Sequence, residues 1–303
     1  MKKKTKLLLV VLCLVAFSLM ALGSGSSDSG EKKEVVTSGT TENGGDIAEN
    51  ESESVEGITI EEQVLFEQDG IVVTAKEYIS DSIWGDGIKL LVENNSDKTV
   101  SVGCNALIVN NYMITDLFGA EVAAGKKANE VMYLSSAQLE AAGIESVGQV
   151  EVYFHVYESE EWEKLFDTER IVIQTSEYAN MDTTPDDAGT ELYNANGIRI
   201  VGKTVDENSF WGTAILLYCE NNSGKNIVIS VDEMSINGFM MNPLYSTTVY
   251  DGKMSIDDVT IFSSDLEENG IENIEEVELK FHIYDADSYS TIDDSDAITF
   301  STQ

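Results

Sequence analysis

Two histidines, His155 and His282, are the first candidates for acid–base chemistry in this sequence. An imidazole titrates near neutral pH, and either ring nitrogen can bind a metal. A zinc site or a catalytic pair, however, requires further ligating or basic side chains close by. The two histidines lie 127 residues apart, each inside the motif Phe-His-x-Tyr. We therefore expect one histidine per structural unit, on the solvent side of a strand, with ligand contact as the alternative role.

Two cysteines, Cys104 and Cys219, are candidates for a disulfide or a nucleophile. At the position 127 residues away, each is replaced by a valine, Val231 and Val92 respectively. A cysteine that exchanges with valine behaves as a small apolar core residue. The sequence therefore predicts two buried free thiols and no catalytic cysteine.

Aspartates crowd one segment near the C-terminus. The residues are Asp285, Asp287, Asp293, Asp294 and Asp296. Calcium is bound by several oxygen ligands from a flexible loop. The spacing is not that of an EF-hand, because Ser290 stands where the turn glycine is required. We expect ordinary surface charge here, with a calcium site as the alternative; calcium is the only cofactor that the sequence suggests.

Aromatic residues at loops are the remaining candidates for ligand binding. Trp84 and Trp211 are equivalent under the 127-residue shift and both precede a glycine, while Trp162 is equivalent to Tyr289. Such rings pack in cores or at the rims of sandwiches, but exposed rings anchor ligands. With His155 and His282, these four residues form the set of predicted ligand-binding positions.

The same shift superposes two halves of the chain. Glu-Asn-Asn-Ser at 93–96 falls on 220–223, Gly125-Lys126 on Gly252-Lys253, and Gly143-Ile144 on Gly270-Ile271. Matches over more than about 100 residues indicate an internal duplication. We expect a repeat at 58–176, a polar linker at 177–189 and a second repeat at 190–303.

Within each repeat the apolar residues alternate with polar ones, as in Val150 to Val156, which is typical of half-buried strands. Asn110-Asn111 and Asn237-Gly238 fit two-residue hairpin turns. One short helix per repeat is expected, with a capping box at Ser264 and a left-handed cap at Gly270, and its equivalent at Ser135 and Gly143. The fold class predicted is all-β: two tandem immunoglobulin-like β-sandwich domains.

The N-terminus predicts export. Lysines precede an apolar run from Leu7 to Leu22 that is too short to span a membrane, and small residues follow it. We expect a signal peptide at 1–23, which would hold the chain to a membrane only if it were left uncleaved. Residues 24–57 are rich in Ser, Gly, Glu and Thr and are expected to be a disordered acidic linker.

The net charge of −37 limits the partners. Nucleic acid is excluded, because binding it requires many Lys and Arg contacts to phosphate. Anionic lipids and wall polymers are repelled for the same reason.

The FWG and SxWG elements, the ENNS turn, the SSxLExxGI helix and the final FHxY strand together resemble a recurring repeat of uncharacterised exported proteins of Gram-positive bacteria. The resemblance covers both repeats and implies an immunoglobulin-like fold in the cell envelope. Many such proteins carry a lipoprotein leader, but Ser24 stands here where the acylated cysteine is found.

The sequence predicts a secreted or cell-surface protein that is not an enzyme. The function expected is binding or adhesion, with an unknown extracellular protein or glycan as partner. A structural spacer of the envelope is the alternative. A carboxylate-based glycan hydrolase is a third hypothesis, and it requires two acids facing each other in a cleft.

Overall fold

The computed structural model describes residues 57–81, 85–209 and 212–301. All the described residues belong to one compact unit, Val55–Gln303. The predicted signal peptide and nearly all of the predicted acidic linker lie outside the described residues. Within the described part, no helix is both long enough and apolar enough to cross a membrane.

The first repeat forms ten strands and a short helix. The strands are β1 Gln63–Gln68, β2 Ile71–Asp81, β3 Gly85–Asn94, β4 Val100–Val109, β5 Tyr112–Ile114, β6 Gly119–Val122, β7 Lys127–Tyr133, β8 Gln149–Glu158, β9 Lys164–Asp167 and β10 Ile171–Gln174. The helix, α1, spans Ser136–Ala141 between β7 and β8.

The second repeat follows the same order after a single 3₁₀ turn at Tyr178–Asn180. The strands are β11 Thr190–Ala195, β12 Ile198–Ser209, β13 Gly212–Asn221, β14 Ile227–Ile236, β15 Phe239–Met240, β16 Ser246–Val249, β17 Lys253–Phe262, β18 Glu276–Asp285, β19 Thr291–Asp294 and β20 Ile298–Ser301. The helix α2 spans Ser263–Glu268 between β17 and β18.

Each repeat is a sandwich of two antiparallel sheets. In the first, β1, β2, β3 and β7 pair in that order and face a sheet containing β10, β8 and β4. In immunoglobulin lettering, β2, β3 and β7 take the places of strands A, B and E, and β4, β8 and β10 those of C, F and G. The prediction of an all-β, sandwich fold with one short helix per repeat is confirmed.

Alternation along the strands places one face of each sheet in the core. Val150, Val152, Phe154 and Val156 of β8 are fully buried in the first core, and Phe281 is buried in the second. The residues between them point outward, since successive side chains in a strand lie on opposite faces. His155 and Tyr157 are therefore placed on the outer face of β8.

One sheet runs through both repeats. Strand β5 pairs in parallel with β17, with Tyr112 opposite Met254 and Met113 opposite Ser255. This pairing joins the β10-β8-β4-β5 part of repeat one to the β17-β13-β12-β11 part of repeat two in a ten-stranded sheet. The repeats are thus connected by backbone pairing as well as by the segment at 177–189.

Apolar side chains on the outer face of repeat one complete the core of repeat two. Ala106, Ile108 and Met113 are buried in the second core, and Tyr153 lies against Tyr250 with ring centroids 5.2 Å apart. Positions equivalent to Ala106, Ile108 and Tyr153 in repeat two are polar: Glu233, Ser235 and Lys280. This outer sheet face is therefore apolar at these positions in repeat one, where it meets repeat two, and polar at the equivalent positions of repeat two.

A buried ion pair crosses this junction. Glu151 is 2% exposed, and both of its carboxylate oxygens accept hydrogen bonds from Lys253 Nζ, at 2.8 and 3.0 Å. Arg170 Nε donates a further hydrogen bond at 2.6 Å. Burial alone would raise the pKa of Glu151, but the hydrogen bonds from Lys253 and Arg170 hold it below its ordinary value.

The turn predictions have mixed outcomes. Asn110, Asn111, Asn237 and Gly238 all have positive φ, so both two-residue hairpins are confirmed. The left-handed caps at Gly143 and Gly270 are also confirmed; Ile271 N, for example, donates to Leu266 O at 2.9 Å.

The predicted capping boxes are wrong, since neither helix has a side-chain hydrogen bond at its N-cap. Helix α2 begins at Ser263, two residues earlier than a cap at Ser264 predicts. In α1 the Gln138 side chain, expected to close the box, instead donates to Ile256 O of repeat two and accepts from Thr115 N.

An asparagine from each ENNS motif ties three turns together. Asn94 Nδ2 donates to Lys98 O at 2.7 Å and to Val122 O at 2.8 Å, while its Oδ1 accepts from Ser96 N. Asn221 makes the equivalent bonds to Lys225 O, Val249 O and Ser223 N. Both side chains are fully buried. These asparagines are structural, since every bond is to the protein's own turns.

A cleft of about 180 Å³ between the repeats holds two perturbed carboxyl groups, Asp116 and Asp257. Burial raises the pKa of each to about 6. The folded state therefore disfavours the charged forms, so stability is lost as the pH rises from about 4 through 6.

We expect Asp257→Asn to stabilise the protein at pH 8 by about 1–3 kcal/mol, at roughly 1.4 kcal/mol for each pKa unit relieved. At pH 4 the gain should vanish, because the carboxyl is protonated in both states. Urea unfolding at the two pH values measures the difference. Asp97→Asn, at an exposed site, is the control; an equal gain in both variants would contradict this account.

Candidate functional site

Both cysteines are buried and free, as predicted. Cys104 Sγ lies 3.9 Å from Met132 Sδ in the first core, and Cys219 Sγ lies 3.7 Å from Tyr245 Oη in the second. Burial raises the pKa of the Cys219 thiol to about 12 and that of Cys104 further still. Neither thiol is positioned as a nucleophile.

In repeat one, two of the predicted positions, His155 and Trp162, form a row of rings with a neighbouring residue, Tyr157. His155 and Tyr157 lie on the outer face of β8 with ring centroids 5.2 Å apart, and Tyr157 lies 6.4 Å from Trp162. Trp162 is at the tip of the β8–β9 hairpin and is 66% exposed. We call His155, Tyr157 and Trp162 the first aromatic row.

Repeat two presents the same arrangement. His282 and Tyr284 of β18 have ring centroids 5.4 Å apart, and Tyr289 stacks on Tyr284 at 6.4 Å with an interplanar angle of 28°. Tyr289, at the tip of the β18–β19 hairpin, is 78% exposed. His282, Tyr284 and Tyr289 form the second aromatic row.

The tip residue has an unusual backbone in both rows. Trp162 has φ of 55° and Tyr289 has φ of 57°, in the left-handed region that bulky residues rarely adopt. A glycine would adopt this conformation without the cost of about 1 kcal/mol that a side chain carries there. An exposed aromatic ring is therefore held at this point of both hairpins despite the local backbone preference.

A buried carboxylate shapes each hairpin tip. Glu158 accepts hydrogen bonds from Glu160 N and Glu161 N, at 3.1 and 2.7 Å, and these bonds lower its pKa. Asp285 accepts from Asp287 N and Ser288 N and pairs with Lys225 at 2.9 Å. Hydrogen bonding to Ser288 and Lys225 likewise lowers the pKa of Asp285.

The histidines have different partners in the two rows. His155 Nδ1 lies 3.0 Å from Asn105 Oδ1, its ring lies over Gly103, and its pKa is lowered by burial. His282 Nδ1 contacts Asp294 Oδ1 directly. Both imidazoles are half-buried at the inner end of their row.

The five C-terminal aspartates do not converge. Asp285 holds the hairpin tip, Asp294 contacts His282, and Asp293 accepts from Tyr193 Oη at 2.6 Å. Asp287 is exposed, and Asp296 lies beyond β19. In the described part of the chain, no three His, Cys, Asp or Glu side chains are grouped so that they could hold a metal ion. The geometry gives the calcium hypothesis no support.

Trp84 and Trp211 lie outside the described residues, so the structure places only four of the six predicted ligand-binding positions. It adds Tyr157 and Tyr284, which connect each histidine to its tip ring. The sequence held a signal for these two tyrosines. Each lies two residues after a histidine in a strand, and residues with that spacing share a face of the sheet. The loop-shaping role of Glu158 has no comparable sequence signal.

No family model matches the chain, and no curated protein does. Among solved structures, the chain is similar to the SafA pilin in complex with the SafB chaperone from Salmonella enterica, at 10% identity and a TM-score of 0.20, over 71% of this chain and 88% of that chain. A protein of unknown function from Porphyromonas gingivalis W83 is similar at 9% identity and a TM-score of 0.20, over 71% and 89%.

Proposed function

We propose that this chain is a non-catalytic, extracytoplasmic binding or adhesion protein that contacts an extracellular protein or glycan through its two aromatic rows. The observation that carries the proposal is the tip ring. Trp162 and Tyr289 are 66% and 78% exposed at the same left-handed position of both hairpins.

Each tip ring is mostly exposed, so its burial offsets little of its backbone cost. It is surrounded by water on one side and supported by a second ring, Tyr157 or Tyr284, on the other. A flat, pre-ordered ring of this kind loses little entropy on binding, which is why aromatic residues dominate binding hot spots. The carboxylates below the tip, Glu158 and Asp285, keep it in one orientation.

The export expected from the N-terminal sequence agrees with this proposal. Among the aromatic side chains of the described residues, the two tip rings are the most exposed and are therefore accessible to a large partner.

The proposal is tested with Trp162→Ala, Tyr289→Ala and the double variant of the full chain. We expect the affinity for the ligand to fall by more than about tenfold in the double variant, as for a binding hot spot. Binding to soluble cell-wall fragments and to an immobilised peptide array measures it.

Tyr178→Ala is the matched control, since Tyr178 is 44% exposed but lies between the repeats, outside both rows. Thermal unfolding checks that the variants fold alike. A ligand that binds the double variant as tightly as the parent chain would place the binding surface elsewhere. If the parent chain bound neither the cell-wall fragments nor the peptides, the alternative hypothesis of a structural spacer of the envelope would be favoured.

A further inference from the structure

We propose that the first aromatic row binds a cationic segment, with an arginine or lysine side chain held over the Trp162 ring. This inference rests on the proposed binding function and names the chemistry of its ligand. Cations are attracted to the face of an aromatic ring, and tryptophan is the strongest of the three ring types in this respect.

The carboxylates around Trp162 have no cation of their own. Glu160, Glu161 and Glu163 are all exposed, and none forms an ion pair with another described residue. Glu161 and Glu163 are the chain neighbours of Trp162 and Glu160 is two residues before it, so a cation near the ring is attracted by their charges.

The lysine of this hairpin is already neutralised. Lys164 lies opposite Tyr157 across the β8–β9 pair, and its Nζ is bonded to Asp167 Oδ2 at 2.8 Å. Hydrogen bonding to Asp167 raises the pKa of Lys164, so it stays charged and paired. It therefore does not occupy the place of an incoming cation.

The second row is less suited to a cation. Its tip is a tyrosine flanked by Ser288 and Ser290, and Asp293 and Asp294 are bonded to Tyr193 and His282. Asp287 and Asp296 are exposed without an ion pair to a described residue, but Asp287 alone of these two belongs to the hairpin tip. We therefore expect the cationic segment to prefer the first row.

The charge of the whole chain supports the same choice of ligand. At a net charge of −37, the protein attracts cationic partners over long range and repels anionic ones. The long-range field alone cannot select one hairpin, however. Selectivity for the first row must come from Trp162 and the three glutamates beside it.

The experiment uses a short fluorescent peptide of alternating glycine and arginine, titrated with the full chain at fixed ionic strength. A second peptide has citrulline, the neutral isostere, in place of arginine. We expect the arginine peptide to bind and the citrulline peptide not to. Trp162→Leu should weaken binding roughly fivefold to thirtyfold, and Trp162→Phe less than that.

Two triple variants separate a specific site from general attraction to an acidic protein. Glu160→Gln with Glu161→Gln and Glu163→Gln removes the charges beside Trp162. Glu272→Gln with Glu275→Gln and Glu276→Gln removes the same charge from exposed positions at and just before the start of β18. Only the first set should weaken binding as strongly as Trp162→Leu does.

Equal losses in the two triple variants, or no effect of Trp162→Leu on the arginine peptide, would overturn the inference. Suppose that a neutral wall fragment or peptide requires Trp162 for binding and the arginine peptide does not. The proposed binding function would then stand, and the proposal of a cationic ligand would be wrong. If no ligand of any class depended on either row, both would be wrong.

Discussion

We expect Asn94→Ala to lower the free energy of unfolding by about 2–4 kcal/mol, although the substitution touches no ligand surface. The side chain is fully buried and bonds two carbonyls and one amide of the surrounding turns. Each net hydrogen bond contributes about 1 kcal/mol, and leaving a buried partner such as Val122 O unpaired costs more. Urea unfolding of the full chain measures the change.

The duplication supplies an internal replicate for this prediction. Asn221→Ala should cost a similar amount, because Asn221 makes the equivalent bonds in repeat two. The two losses should add in the double variant, since the asparagines share no partner. Asn95→Ala, one residue along and exposed, is the control and should be close to neutral. A loss at Asn95 equal to that at Asn94 would contradict the assignment.

Breaking the ion pair at the junction should have the other large effect. We expect Glu151→Gln to cost about 2–4 kcal/mol at pH 7, because Lys253, only 15% exposed at its side chain, is left with a neutral partner. The pKa of Glu151 is lowered in the folded state. Its contribution is therefore present above the ordinary carboxyl pKa and is lost as the pH falls through the lower, folded value.

Two measurements identify the pair as the source of that loss. The difference between Glu151→Gln and the parent chain in urea should shrink in acid. A double variant, Glu151→Met with Lys253→Met, should recover part of the stability, because removing both buried charges is less costly than removing one. If the double variant lost the sum of the two single losses, no coupling would exist between the residues.

Most of the strand map was predictable because local pattern and duplication agree. Alternation placed β8 and β18, and the paired asparagines at 110–111 placed the hairpin between β4 and β5 to the residue. Short strands such as β1, β6 and β9 were missed, because a run of four to six residues with mixed polarity has no distinct period. In α1 the expected cap residue, Ser135, does precede the helix, but the box does not close because Gln138 forms its bonds across the junction, while α2 begins before its expected cap residue, Ser264.

The joining of the repeats was not predictable from the duplication itself. Tyr112-Met113 and Phe239-Met240 are similar in sequence, yet the first pair is buried against β17 and the second is 47% and 66% exposed. The available signal was a difference between the repeats. Ala106 and Ile108 make β4 apolar on both faces, whereas Glu233 and Ser235 do not.

The candidate site was predictable in its members and not in its geometry. Trp162, Tyr289, His155 and His282 were identified from their residue types. Their gathering into rows depends on Tyr157 and Tyr284 and on the left-handed tips. The aspartates do not converge, because Asp285, Asp293 and Asp294 each bind a different partner. The partner of Asp293, Tyr193, lies 100 residues away in the sequence.

The joining of the repeats also bears on the proposed binding by two rows, since the first row lies on β8 of the ten-stranded sheet and the second on β18 of the six-stranded sheet of repeat two. Two binding modules joined by a flexible linker sample many separations, so the second module can reach a second epitope at almost any distance. Here the segment between the repeats is itself held, with Asp186 N bonded to Tyr112 Oη and Lys203 bonded to Asp186 O. If both rows engage one partner, as proposed, they gain effective concentration only when the spacing of the partner's epitopes matches the spacing that the joined repeats impose.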